Sequence, residues 1–112
     1  MVVSPEDKAT LAKLEELDFQ IISTVGTARG MFFEAIQLAK AGKIDEARAK
    51  IEQGNEIFNE GHNAHRNIFA LQDEENALPF DLLLVHAEDQ MMSAETFKMV
   101  ALELIDLYEK LA

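Results

Sequence analysis

Cysteine is absent from this chain of 112 residues, which rules out disulfide bridges, a thiolate nucleophile and cysteine-ligated zinc or iron–sulfur centres. Basic residues are few: ten Lys and Arg stand against 21 Asp and Glu, a formal charge of -11. That sign opposes binding to a phosphate backbone or an anionic lipid surface, so nucleic acid is excluded as a partner and basic proteins suit the chain better. No run approaches the roughly 20 apolar residues that a membrane span needs. Met1 to Thr10 carries Ser4, Glu6 and Asp7 where a signal peptide is basic and then apolar. The expectation is a cytoplasmic protein with no direct membrane insertion. Phosphate-binding, dinucleotide-binding, serine-hydrolase and zinc-protease motifs are missing as well.

Proline occurs only at Pro5 and Pro79, each opening a long stretch without two-residue alternation, which is an all-α signature. The first stretch has Ser4 as N-cap, Pro5 at the first helical position, Asp7 at the third, and Lys40 with Gly42 as stop signals. Leu11, Leu14, Ile21, Val25, Ala28 and Phe32 form an apolar stripe, interrupted at Asp18. Gly26 and Gly30 weaken this helix by roughly 1 kcal/mol each relative to Ala and mark a bend or a close backbone approach.

A second helix is predicted over Ile44 to Leu71, with Ile44, Ala47, Ile51, Phe58, Ile68 and Phe69 on its apolar side and Asn55, His62 and His65 interrupting it. "QDEENALPF" reads as a surface connection, and Asp81 as the cap of a third helix running to Leu111. That third helix is apolar in nearly every direction, so it cannot sit against two neighbours with its back to water. A chain this short, with three long helices, points to a single domain over residues 1–112 that assembles with other copies. Met91, Met92 and Met99 read as core filler.

His86, Asp89, Gln90 and Ser93 interrupt the third helix along one stripe, His86 and Asp89 being about 60° apart around its axis. One reading makes them a buried hydrogen-bonded network. The other makes His86 a nucleophile, since imidazole accepts a phosphoryl group without help from cysteine or an activated serine. Asp89, too close for comfort to a phosphoryl dianion, then needs a separate task such as binding a hard cation or orienting the imidazole. His62 and His65 share a helical face but lack a carboxylate triad, and read as a polar layer between helices.

"LLLVHAEDQMMSAETFK", "GTARGMFFEAIQLAKAGKIDEA" and "EGHNAHRNI" together resemble the lactose/cellobiose-type enzyme IIA of the bacterial phosphoenolpyruvate–sugar phosphotransferase system, over roughly residues 14 to 111. The resemblance implies an antiparallel three-helix bundle whose third helices meet at the centre of a homotrimer. It implies a phosphohistidine at His86, with Gln90 and Ser93 as neighbours of the phosphoryl site. It also implies that Asp89 gathers from three subunits around one shared Mg2+. The partners implied are the carrier protein HPr, which donates the phosphoryl group, and a cysteine on a cognate IIB protein, which accepts it during uptake of a lactose-, cellobiose- or chitobiose-type sugar. Glu88 and Gln90 stand where the family usually has glutamine and histidine, so Glu88 is expected to bring negative charge near the phosphoryl site. The alternative is a regulatory or scaffolding helical trimer of the same fold that relays no phosphate.

Overall fold

The computed structural model describes the backbone of residues 5–71 and 81–112, and the side chains of residues 8–71 and 81–112. Three helices account for it: α1 (Pro5–Lys40), α2 (Ile44–Leu71) and α3 (Leu82–Leu111). Each end that can be described has a local cause. After Lys40 the chain turns at Gly42, whose φ of 80° suits a residue without a Cβ, and the Lys43 N–H donates back to the Leu38 carbonyl. Asp81 is extended, and its Oδ1 accepts from the Leu84 N–H at 2.7 Å, which caps α3 as expected. Ser4 and the connection over 72–80 lie outside the described residues.

The helices run antiparallel in a rod of 62 × 20 × 16 Å. α1 is the spine: both other helices pack extensively on it and touch each other far less. Its stripe of Leu14, Leu17, Ile21, Val25, Ala28, Phe32, Ala35 and Ala39 is buried against Ala47, Ile51, Phe58, Ala64 and Ile68 of α2 and Ala87, Met91, Ala94, Ala101 and Ile105 of α3. The 3–4 spacing on all three elements is the sequence cause of the bundle.

Four expectations need correcting. Asp18, read as a break in the α1 stripe, is 0% exposed and sits inside the core. Close backbone approach is made by Gly54 and Gly61 of α2, where an added Cβ would meet Phe32 Cε1 at 2.7 Å and Thr24 Oγ1 at 2.5 Å. Around Gly26 and Gly30 nothing lies within 4 Å of that position, because they occupy the exposed side of α1. Phe69, assigned to the apolar side of α2, is 59% exposed, and of the three methionines taken as filler only Met91 is buried.

Because α1 fills one flank of α3 and α2 covers little more, most of α3 is left uncovered. Leu82, Val85, Met92, Met99, Val100 and Leu107 are all exposed, Leu82 at 84%. Leu82, Val85, Asp89, Met92, Thr96 and Met99 succeed one another at gaps of three and four, a seam with no partner among the described residues of the chain. No helix of the described residues is long and apolar enough to cross a membrane.

Candidate functional site

His86 lies in the second turn of α3, its side chain exposed at the border between the uncovered seam and the α1 flank. Asp89 is likewise exposed, one turn further on and within the seam, while Gln90 and Ser93 are half-buried. These four do not form a buried hydrogen-bonded network; they lie along one strip of α3, His86 and Asp89 exposed and Gln90 and Ser93 half-buried. Asp89 and Ser93 line a groove of about 410 Å³ between α1 and α3, together with Met92, Thr96 and Phe97. Across it stands Arg29 of α1, the one cationic side chain in its lining. A second hollow continues past Gly26, Gly30 and Phe33, sharing Arg29 and Phe97 with the first.

The charge next to His86 in sequence is handled differently from what the sequence suggested. Glu88 is two residues along α3, about 200° around the axis, and so faces α2 rather than the His86 strip. There its Oε1 lies 2.5 Å from Nε2 of His65, which also stacks edge-on against Phe69 with ring centroids 4.9 Å apart. His62 stands beside His65, ring centroids 6.3 Å apart, which fits the expected polar layer. Lys98 donates to Asn55 Oδ1 at 2.5 Å further up the same α2–α3 contact. Arg48 closes the far end with Asp106 at 3.0 Å and Glu109 at 3.2 Å.

Within the core of α1, Asp18 is the unusual group. Both of its carboxylate oxygens are buried without a hydrogen-bond partner among the described residues. Burial raises its pKa from 3.8 to about 6, and the negative charges of Asp81, Glu88 and Glu15 push in the same direction. Neither the Asp18 environment nor the His65–Glu88 pair was visible in the sequence. Each joins residues far apart in the chain, and only the heights at which the helices pack bring them together.

Among the described residues no group of three or more His, Asp or Glu side chains in one chain is arranged to hold a metal ion. Asp89 offers one exposed carboxylate per chain, at the middle of the seam, so a hard cation would need the same residue from further copies.

The family described as "PTS system, Lactose/Cellobiose specific IIA subunit" matches residues 16–109. The lichenan-specific phosphotransferase enzyme IIA component of Bacillus subtilis is 36% identical over 99 residues, covering 88% of this chain and 90% of its own. Among solved structures, the cellobiose-specific enzyme IIA of Bacillus anthracis superposes with a TM-score of 0.83 at 38% identity, over 88% of this chain and 90% of that one. The IIA(chitobiose)–HPr complex of Escherichia coli gives a TM-score of 0.78 at 32% identity, with 88% and 95% covered.

Proposed function

We propose that His86 is the phosphoryl-carrying residue of this chain, which belongs to the lactose/cellobiose-specific IIA family of the phosphotransferase system. The chain is a phosphoryl carrier in sugar uptake. What supports His86 is its exposed place on α3 beside Asp89, Gln90 and Ser93, whereas His62 and His65 are half-buried between helices. A lone pair on a ring nitrogen of His86 forms the new P–N bond as the donor's P–N bond breaks and its electron pair returns to the donor imidazole. In the second step a thiolate sulfur takes the phosphoryl group, and His86 regains its own pair. Such transfers depend on in-line placement and charge stabilisation more than on acid–base chemistry. Gln90 and Ser93 are hydrogen-bond donors to the phosphoryl oxygens.

The phosphoryl donor is HPr, the partner named in the solved chitobiose complex, and the acceptor is a cysteine of a cognate IIB protein. The charge of -11 suits basic faces on such partners and chiefly raises the rate of encounter. We place the protein in the cytoplasm, where these partners act. Its α3 seam is the contact between three copies, which buries Leu82, Val85, Met92 and Met99 and brings three Asp89 carboxylates together. Asp89 of each copy would hold a hard cation such as Mg2+, which would neutralise that concentration of charge.

Incubation with phosphoenolpyruvate, enzyme I and HPr, followed by intact-mass measurement, tests the assignment. The wild type gains one acid-labile phosphate and His86→Ala gains none. If His62→Ala lost the phosphate while His86→Ala kept it, the carrier would be misassigned.

A further inference from the structure

Arg29 is exposed in the groove between α1 and α3, and among the described residues it has no ion pair. Past it the groove opens into a hollow walled by Gly30, Phe33 and Phe97. Nothing lies within 4 Å of a Cβ built on Gly30, and the Phe33 ring is left exposed. A guanidinium beside an uncovered ring and bare helix backbone suits an occupant that brings a carboxylate and an apolar side chain together. The other flank of α3 carries that pair. Two residues along a helix amount to about 200°, so Glu95 and Met99, two before and two after Phe97, stand on the far flank from the groove, with the seam between on the uncovered side. Each is seven residues from a side chain that meets α2, Glu88 for Glu95 and Asp106 for Met99, which fixes this flank as the α2 side. Both are exposed, and Glu95 has no ion pair among the described residues either.

Three copies joined along the seam, about an axis parallel to α3, keep each residue of α3 at one height. Their ring closes with the α1 flank of one copy against the α2 flank of the next. Thr96 and Phe97 in the groove are then level with Glu95 and Met99 of the adjoining copy. We propose that the Arg29 groove is the socket for the next copy in the ring: Glu95 of the adjoining copy pairs with Arg29, and its Met99 seats over Gly30 against Phe33 and Phe97. A thioether suits aromatic walls, and the absent side chain at Gly30 leaves room for it. Between chains that each carry -11, an ion pair at this height offsets local repulsion and fixes the register of the ring.

The inference rests on the α3 seam as the contact between three copies, and the test keeps the two apart. Sedimentation equilibrium compares wild type, Arg29→Glu, Glu95→Arg and the combined swap. The two single reversals shift net charge equally and in opposite directions, so net charge alone would weaken one trimer, strengthen the other and make the swap the sum of both. Pairing requires instead that both weaken assembly, each raising the midpoint concentration for dissociation by about tenfold, and that the swap returns to within about threefold of wild type. Effects that simply add would overturn the pairing and leave the trimer standing. A wild type that stays monomeric would overturn the seam beneath it. Because the chain has no cysteine of its own, Gly30→Cys combined with Met99→Cys gives a reading independent of charge. A short bis-maleimide should join the two positions between copies and close covalent trimers, with the linked peptides identified by mass spectrometry. No such link in the assembled trimer would overturn the socket.

Discussion

Two pairs of glycines on neighbouring helices should respond to the same substitution with opposite signs. Gly-to-Ala within a helix is worth about 1 kcal/mol in favour of folding where space allows. At Gly26 nothing lies within 4 Å of the new Cβ, so Gly26→Ala should gain about that amount in the isolated chain. At Gly61 the new Cβ would stand 2.5 Å from Thr24 Oγ1 and 2.9 Å from Val25 Cγ1. Neither yields cheaply. The Thr24 hydroxyl donates to the Gln20 carbonyl at 2.7 Å, and Val25 is a buried core residue. Overpacking of this kind costs about 1–3 kcal/mol against a helix gain of about 1 kcal/mol, so Gly61→Ala should be less stable by up to about 2 kcal/mol. The matching fall in Tm is up to about 10 °C for a domain near this size. Circular-dichroism melts at one fixed protomer concentration read both variants. Thr24→Ala combined with Gly61→Ala should recover part of the loss, because one of the two close contacts is then gone. A Gly61→Ala protein melting at or above wild type would refute the claim that the backbone of α2 is packed against Thr24 and Val25 of α1 at that point.

Asp18 makes stability depend on pH in a stated direction: its pKa is raised in the folded state, so wild-type stability falls as pH rises from about 4 to about 6 and stays at the lower level above. The difference between Asp18→Asn and wild type should therefore grow by about 2 kcal/mol between pH 4 and pH 7.5, whatever constant cost the amide carries, and a pH-independent difference in denaturant titrations would exclude a raised Asp18 pKa. Sedimentation should show a trimer at micromolar concentration, and a stable monomer there would leave the α3 seam unexplained. Asp89→Asn should keep the trimer while removing its thermal response to EDTA and added magnesium; a wild type indifferent to both would remove the metal from the account and leave His86 untouched.

The parts of this fold that the sequence declares are those with local causes. Gly42 and Asp81 fix helix ends through one or two hydrogen bonds each, and α2 begins at Ile44 and ends at Leu71 as its periodicity predicts. What the sequence conceals depends on how high one helix stands against another. A 3–4 stripe says that Gly26 and Gly30 share a side with each other, but not that α2 approaches at Gly54 and Gly61 instead. Nor does periodicity separate Met91, which is buried, from Met92, which is 66% exposed one position later, until the flank taken by α1 is known. An aspartate amid leucines reads as a gap in the stripe. Only the closed bundle turns Asp18 into a buried charge.

The same limit applies to the site, where Glu88 is the instructive residue. Read along the chain it crowds His86 with negative charge, the main feature favouring a regulatory protein over a carrier. Read in three dimensions, two residues along a helix amount to more than half a turn, and the carboxylate is spent on His65 of α2, 23 positions earlier in the chain. The His86 strip then presents His86, Gln90 and Ser93, with Asp89 turned into the seam. The charge of Glu88 acts instead on Asp18, whose carboxylate oxygens are buried without a hydrogen-bond partner among the described residues. An acidic residue that looks like a defect of the signature is thus part of the α2–α3 contact and of the charge acting on Asp18, which makes the pH dependence of stability, rather than the loss of activity, the sensitive measure of what Glu88 does.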